Sequence, residues 1–363
     1  MRRWRTVAAF AAAIAVASCS SGGGGAATSG PAGSGGTSDA CNPPRQDGVE
    51  LTFASFGGSF QDAQRKAWQE PYTELTGVRF INDENTNIAT IQAQVESGQV
   101  TWDVVDVYNE FGLDTHAELL EPLDYELIPR DEIDPDLGTT DFRVPTSTYG
   151  TVLGYNTDMT GGKTPTGWAD FFDTTGFPGK RGIYDYATGG IFEVALMADG
   201  VAPADLYSLD IDRATAKLDT IKDDIVFWTS GAQSRELIGS GEVAMTMIWN
   251  GRAWNAIHDD NQPVGITWNQ QIVSADYFVV PKGTPNREAA MRFIAYTTCA
   301  ETNGKLSSYI PYGPTNVNAE PDPAVVDDLP LNHVDANTAY FDDAYIVDHF
   351  QEIDAVWHDW KSR

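Results

Sequence analysis

Apolar and polar residues alternate in short runs along most of the chain, a pattern that predicts buried β-strands. The clearest run is Val243–Trp249, in which large apolar side chains occupy every second position up to Met247 and are followed directly by Ile248 and Trp249. Asn250-Gly251 then predicts a turn, and residues 253–258 predict a helix. Trp249 therefore ends a strand at the edge where open α/β sheets bind ligands, so it is either a wall of a binding site or ordinary core.

The rest of the chain continues this alternation of strands and helices. The predicted strands are 51–53, 78–81, 102–107, 150–155, 182–185, 225–228 and 277–280. The predicted helices are 61–77 with a kink at Pro71, 88–97 closed by Gly98, 192–198, 211–220, 232–239, 287–298 and 342–361. Because the first three strands alternate with two helices, we expect a parallel sheet with right-handed crossovers in an α/β fold.

The N-terminal segment has the pattern of an export signal. Three arginines within the first five residues precede the apolar run Val7–Ala17, which is too short to span a bilayer as a mature helix. Val16-Ala17-Ser18-Cys19 resembles the lipobox of bacterial lipoproteins, which are cut just before a cysteine that carries the lipid. The alternative is a plain secretory signal with an incidental cysteine. We expect residues 1–19 to be a lipoprotein signal with its lipidated Cys19, and the Gly- and Ser-rich residues 20–47 to be a flexible tether.

The acidic composition limits the classes of partner. The 363 residues carry a net charge of −29, and cleavage before Cys19 would leave 20 Lys and Arg against 52 Asp and Glu, so 20 − 52 = −32. Nucleic acids and anionic lipid surfaces are therefore excluded as partners, since both require Lys and Arg. The acidity fits either a cleft for a cationic solute or a generally acidic surface.

Cysteines and histidines show no metal-binding pattern. Cys41 and Cys299 are left over after Cys19, and in an exported protein they are expected either to pair or to stay free. A bridge would attach the end of the tether to the folded body. The five histidines have no paired ligand spacing, so we expect no metal and no cofactor. Gly162-Lys163-Thr164 lacks the preceding glycine of a phosphate-binding loop, because that position is Thr157.

Several stretches, taken in order over most of residues 48–363, resemble the solute-binding proteins of ABC importers. Within that class they are most similar to the spermidine/putrescine-binding group. The stretches are Gly57-Gly58-Ser59, Trp102-Asp103-Val104-Val105, Tyr149-Gly150 with Tyr155-Asn156, residues 165–172, Phe177-Pro178-Gly179-Lys180-Arg181, Ile248-Trp249-Asn250-Gly251 and residues 309–315.

The resemblance implies a type II periplasmic-binding-protein-like fold, in which two α/β lobes are hinged around a ligand cleft. We place lobe one at residues 48–147 and 276–308, and lobe two at residues 148–275 and 309–363. It also implies a monomer without enzymatic activity, held by a lipid anchor at the outer face of the cytoplasmic membrane. This monomer would close on its solute and deliver it to an ABC permease in the membrane.

The resemblance also implies a set of ligand-binding residues. A polyamine needs a carboxylate for each buried ammonium and aromatic walls for its methylene chain. Trp249 matches the family's tryptophan, and Asp276 matches its amine-binding aspartate. The remaining matches are Phe56 and Phe60 in the first loop, Tyr108 or Asn109 after the third strand, and Tyr312.

Two departures from the family pattern change the expected ligand. Residues 187–190 replace two family carboxylates, for one of which Asp185 is a substitute, and Ser274 replaces a second tryptophan. A shorter cation such as putrescine is therefore expected, or a mixed ligand whose carboxylate pairs with Arg252. Opines, amino acids, thiamine and iron remain alternatives. An exported hydrolase would need paired carboxylates, for which Asp103 and Asp106 are candidates by residue type alone.

Overall fold

The computed structural model describes residues 40–84 and 86–363, which are built around one mixed β-sheet. In the described part the strands follow the order β2-β1-β3-β8-β4-β7-β5-β6, and β9 pairs with β8. The strands are β1 (Glu50–Ala54), β2 (Arg79–Asp83), β3 (Val104–Val107), β4 (Val144–Asn156), β5 (Arg181–Tyr184), β6 (Ile225–Trp228), β7 (Met245–Trp249), β8 (Val264–Val279) and β9 (Ala339–Tyr340). The predicted parallel pairing of β1, β2 and β3 is confirmed.

Two long antiparallel strands, β4 and β8, join the two halves of this sheet. The end of β8 pairs with β3 through Tyr277–Val279, and the second half of β4 pairs with β7 through Thr151–Tyr155. The predicted lobe borders fall where these strands lie side by side, because Ser147 pairs with Asp276. The lobe boundaries stay a prediction. The sequence pattern found only the last part of each long strand, since residues 146–148 and 274–276 are polar or small yet buried.

Helices cover both faces of the sheet. They are α1 (Gly58–Gln64), α2 (Glu70–Thr76), α3 (Ile88–Ser97), α4 (Trp168–Phe172), α5 (Ile191–Ala198), α6 (Ile211–Asp219), α7 (Gly231–Ser240), α8 (Asn250–His258), α9 (Arg287–Thr298), α10 (Ala300–Asn303) and α11 (Asp343–Ser362). The first predicted helix is interrupted by a π-helical turn at Arg65–Gln69, just before Pro71. Pro71 is the second residue of α2, so the irregularity expected at this proline occurs in the π-helical turn directly before it.

The β1–β3 half has a core of interlocking aromatic rings on one face. Phe53 packs edge-on against Phe278 and Phe293, with ring centroids 5.3 and 6.1 Å apart. Trp68 packs edge-on against Phe278 from the π-helical turn. Each of these rings is buried, which stabilises the fold by about 1.5–3 kcal/mol per side chain. The site described below lies at the end of this face, so its walls rest on a rigid core.

The structure joins Cys41, just before β1, to Cys299, at the end of α9, in a disulfide with the Cα atoms 5.7 Å apart. The predicted signal, Cys19 and most of the tether lie outside the described residues. Within the described ranges, no helix has both the length and the apolar character needed to cross a membrane.

Candidate ligand-binding site

Trp249 ends β7 and lies at the start of α8, with no turn between them. The predicted turn at Asn250-Gly251 is wrong, because Asn250 begins the helix. Its buried side chain accepts a hydrogen bond from the Gly150 N–H at 3.0 Å and donates to the Pro311 carbonyl at 2.7 Å. These bonds hold the Asn250 side chain at the junction of β7 and α8. The first turn of α8 therefore lies at the edge of the sheet where β7 ends.

A small cavity lined mostly by aromatic rings lies at this edge. Phe56 stacks on Tyr108 with ring centroids 4.2 Å apart, and Phe60 packs against Tyr312 at 5.2 Å. Tyr149 of β4 contacts Tyr312 at 5.7 Å. The full lining is Phe56, Phe60, Tyr108, Tyr149, Trp249, Arg252, Asp276 and Tyr312. We call this space the primary cavity.

Trp249 is both a wall of this cavity and part of the core. Its side chain is 9% exposed. Its ring lies 5.4 Å from Tyr184 and 5.3 Å from Trp228 on one side, and 6.3 Å from Tyr149 on another, measured between centroids. The sequence left open whether Trp249 is a wall of a binding site or ordinary core, and the structure gives it both positions at once.

Arg252 supplies a buried positive charge at the primary cavity. It lies in the first turn of α8 and is 2% exposed. One terminal nitrogen donates to the Ser59 hydroxyl, and the other donates to the Gly57 carbonyl at 3.2 Å. Its Nε has no hydrogen-bond partner among residues 40–84 and 86–363. Burial lowers the pKa of Arg252, so an anion bound here would restore a favourable environment for the guanidinium.

Asp276 supplies the opposite charge in the same cavity. It lies in β8, is 3% exposed, and accepts a hydrogen bond from the Ser147 hydroxyl at 3.0 Å. Burial raises the pKa of Asp276 to about 7, although Ser147 and the Arg252 charge oppose this shift. A cationic group in the cavity would favour the ionised carboxylate.

Asp106 lies behind Asp276 on the same face of the sheet. It pairs with Phe278, two residues beyond Asp276 along β8, so the two carboxyl groups are diagonal neighbours. Asp106 accepts hydrogen bonds from Gln64 at 2.6 Å and Ser55 at 3.1 Å. Burial and the nearby Asp276 raise the pKa of Asp106 well above its ordinary value. Two buried carboxyls this close favour retention of a proton.

A second small cavity lies beside the first and shares part of its lining. We call it the secondary cavity. Asn109 lines it and donates a hydrogen bond to Asp343 at 2.9 Å. The lining also includes residues that the sequence analysis missed, namely Glu110, Thr151, Tyr184, Tyr186, Thr188, Gly189 and Phe341. A sequence signal existed for two of them, because Tyr184 and Tyr186 flank Asp185 at the end of a strand.

Asp185 lies away from both cavities, in contrast to its predicted role. Its carboxylate accepts a hydrogen bond from the Trp357 indole at 3.1 Å and pairs with Lys361, both on α11. Alternation along the strand explains this position, because Tyr184 and Tyr186 point to the cavity and Asp185 points the other way. Seven predicted residues line the primary cavity and Asn109 lines the secondary one, whereas Asp185 binds the closing helix.

The hydrolase candidates are not paired in a common site. Asp103 precedes β3 and accepts hydrogen bonds from the Thr52 N–H at 2.7 Å and from Asn286. It therefore ties β1 to the segment before α9, whereas Asp106 points at Ser55 and Gln64. These contacts give the two acids different structural surroundings.

The fold agrees with comparisons to known proteins. Residues 67–332 match the model of the bacterial extracellular solute-binding protein family. The chain belongs to this family. A γ-aminobutyric acid-binding protein of Pseudomonas aeruginosa is 34% identical over 332 residues, which are 86% of this chain and 91% of that protein. A spermidine/putrescine-binding periplasmic protein of Haemophilus influenzae is 25% identical over 306 residues, which are 78% of this chain and 83% of that one.

Solved structures of solute-binding proteins have the same fold. The GABA receptor Atu4243 is 41% identical with a TM-score of 0.78, covering 86% of this chain and 97% of the receptor. AgtB of Agrobacterium tumefaciens R10, solved with agropinic acid, is 34% identical with a TM-score of 0.80, covering 88% of this chain and 100% of AgtB. The predicted two-lobe α/β fold is confirmed. This solute-binding protein is the substrate-capturing subunit of an ABC importer, and its relatives are solute-binding proteins rather than enzymes.

Proposed function

We propose that the protein captures a small zwitterionic amino acid of the γ-aminobutyrate class. One observation carries the proposal: a buried guanidinium, Arg252, and a buried carboxyl, Asp276, line the same small cavity. The ligand carboxylate would accept hydrogen bonds from Arg252, and the ligand ammonium would pair with Asp276. Charge-assisted hydrogen bonds of this kind are about twice as strong as neutral ones.

The contacts of the two charged residues support this arrangement. Arg252 and Asp276 bind Ser59, Gly57 and Ser147, and in the described part of the chain they form no hydrogen bond with each other. A ligand with separated charges can therefore lie between them. Arg252 has five N–H donors, and the structure uses two of its nitrogens, while Nε stays without a partner among the described residues.

The aromatic walls support a ligand with a short apolar chain. Tyr108 and Trp249 can contact methylene groups, and each ring face attracts an ammonium by about 0.5–2 kcal/mol. The small size of the primary cavity favours a solute of a few heavy atoms over a long polyamine. The relatives named for GABA support the same class.

A diamine such as putrescine is the second candidate. The acidic groups Asp276 and Asp106 and the relatives named for spermidine and putrescine favour it. Arg252 disfavours it, because a second ammonium would share a desolvated cavity with a guanidinium. We infer that putrescine binds more weakly than GABA. Opines and other amino acids keep the carboxylate that Arg252 needs.

Isothermal titration calorimetry with GABA and putrescine tests the proposal. Arg252→Gln and Asp276→Asn should each weaken GABA binding by about thirtyfold or more, since loss of one partner of a buried charge pair costs about 2–5 kcal/mol. Arg235→Gln serves as a control, because Arg235 pairs with Asp260 outside the primary cavity. Tighter binding of putrescine than of GABA, together with stronger putrescine binding by Arg252→Gln, would reject the zwitterion in favour of the diamine.

A further inference from the structure

The primary and secondary cavities share walls. Tyr108, Tyr149 and Trp249 line both of them. The aromatic surface is therefore continuous from Asp276 and Arg252 on one side to Glu110 on the other. A ligand held in the primary cavity can extend along these rings without leaving aromatic contact.

Glu110 is a buried carboxyl at the far side of this surface. It is 4% exposed, and it accepts a hydrogen bond from the Tyr186 hydroxyl at 2.6 Å. Arg143 is the nearby buried cation, but its nitrogens donate to the Gly138 and Phe111 carbonyls at 3.0 Å each, to the Asn109 carbonyl, and to Asp343. Within residues 40–84 and 86–363, Glu110 therefore has a tyrosine partner and no paired cation.

A second buried pair of the same kind shows what distinguishes Glu110. Glu193 of α5 is 2% exposed and accepts a hydrogen bond from the Tyr207 hydroxyl at 2.7 Å. Glu193 lines neither cavity, whereas Glu110 lines the secondary one. A buried Glu–Tyr pair is thus compatible with a purely structural role. The adjoining cavity and its aromatic walls give Glu110 access to a ligand.

We propose that the secondary cavity is a second cation subsite, in which Glu110 pairs with a distal ammonium of a diamino monocarboxylic acid. This inference rests on the proposed function, since the ligand carboxylate would bind Arg252 and its first ammonium would bind Asp276. The ligand thereby gains one charged contact that GABA cannot make. The subsite extends the class of solute from simple ω-amino acids to those with an additional basic group.

A cation would be favoured next to Glu110, because it would stabilise the ionised carboxylate that burial disfavours. Burial raises the pKa of Glu110 to about 7, although the Tyr186 hydrogen bond and the Arg143 charge oppose this shift. Tyr149 lines both the primary cavity with Asp276 and the secondary cavity with Glu110, so its ring is a shared wall of the two. A ligand with two ammonium groups would place one charge at each carboxyl and its carbon chain along this ring.

Calorimetric titration of the parent protein and of Glu110→Gln tests the subsite. The probes are GABA, 2,4-diaminobutyrate, ornithine and lysine, which keep one carboxylate and differ in the number and spacing of ammonium groups. At least one diamino acid should bind the parent protein. Glu110→Gln should weaken its binding about tenfold or more and change GABA binding less than twofold. Glu193→Gln is the matched control and should leave both affinities unchanged.

The outcomes separate this inference from the proposed function. If GABA binds and none of the diamino acids does, the subsite is rejected and the proposed function stands. If neither class binds, the proposed function fails as well. Equal losses for GABA and the diamino acid in Glu110→Gln would assign a structural role to Glu110. Should that variant not fold, competition on the parent protein decides, because a diamino acid that fails to displace GABA overturns the subsite.

Discussion

Asp276 is the residue whose protonation should control ligand binding. Burial raises its pKa to about 7, and only the ionised carboxylate pairs with an ammonium. Binding is therefore complete above that pKa and is lost as the pH falls through it. We predict that GABA affinity decreases by about tenfold or more from pH 8 to pH 5.5, a range in which the ligand itself keeps both charges.

Titrations at a series of pH values measure this dependence, and Asp276→Asn should remove most of it. A parent affinity that stays constant over this pH range would contradict the assignment of the ammonium to Asp276. The other titratable groups around the site are Asp106, Glu110, Arg252 and the tyrosines; burial and the nearby Asp276 raise the pKa of Asp106.

Part of the site could be predicted at the level of single residues. Trp249 and Asp276 were found because a strand end and a family resemblance pointed to them, and both line the primary cavity. Tyr149 was missed as a site residue although Tyr149-Gly150 contributed to the family resemblance, and Glu110 was missed although it directly follows Asn109. Asp185 was misplaced because strand alternation directs it to α11, and the side of a strand that faces the cavity depends on the tertiary fold.

Among the secondary-structure elements, the regular helices and the short parallel strands could be predicted from the sequence. The full lengths of the two long antiparallel strands, β4 and β8, could not. The α9 boundaries agree with the prediction, since its apolar residues repeat at helical spacing. β4 and β8 extend over 13 and 16 residues, and their central parts carry buried polar side chains. Thr146 and Ser147 of β4 donate hydrogen bonds to Asp276 of β8, and a sequence pattern based on hydrophobicity does not detect such buried polar positions.

The junction between β7 and α8 should depend on Asn250. Its amide bonds to the Gly150 N–H and to the Pro311 and Asp328 carbonyls, and the side chain is 1% exposed. We predict that Asn250→Ala lowers the free energy of unfolding by about 2–4 kcal/mol, because buried partners lose their hydrogen bonds. Urea denaturation measures this change. Asn269→Ala, at an exposed position, should lower it by less than about 0.5 kcal/mol, and an equal loss in both variants would contradict the role of Asn250.

At the scale of the whole molecule, the protein is a solute-binding protein with one sheet whose two halves are joined by β4 and β8. The site lies where residues from the first loop, β4, the start of α8 and the end of β8 meet. This arrangement fits closure of two lobes on a solute, a hinge motion that periplasmic binding proteins make when they bind their ligands. The predicted lobe boundaries place Asp276 and Arg252 on different lobes, so the ligand itself would hold the closed form together.

Anchoring is a separate prediction for the intact chain. Cys19→Ala should abolish lipid attachment, because Cys19 is the cysteine of the predicted lipobox. Detergent-phase partitioning of the parent and the variant measures the effect, and the parent should enter the detergent phase while the variant stays in the aqueous phase. Equal partitioning of the two proteins would reject the lipid anchor.

A crystal structure with bound GABA would show whether Arg252 and Asp276 hold the two ends of a zwitterion. We expect the ligand carboxylate within hydrogen-bond distance of the Arg252 guanidinium, including Nε, and the ligand ammonium on Asp276 between the rings of the primary cavity. GABA bound outside this cavity, or with its carboxylate away from Arg252, would rule out this arrangement.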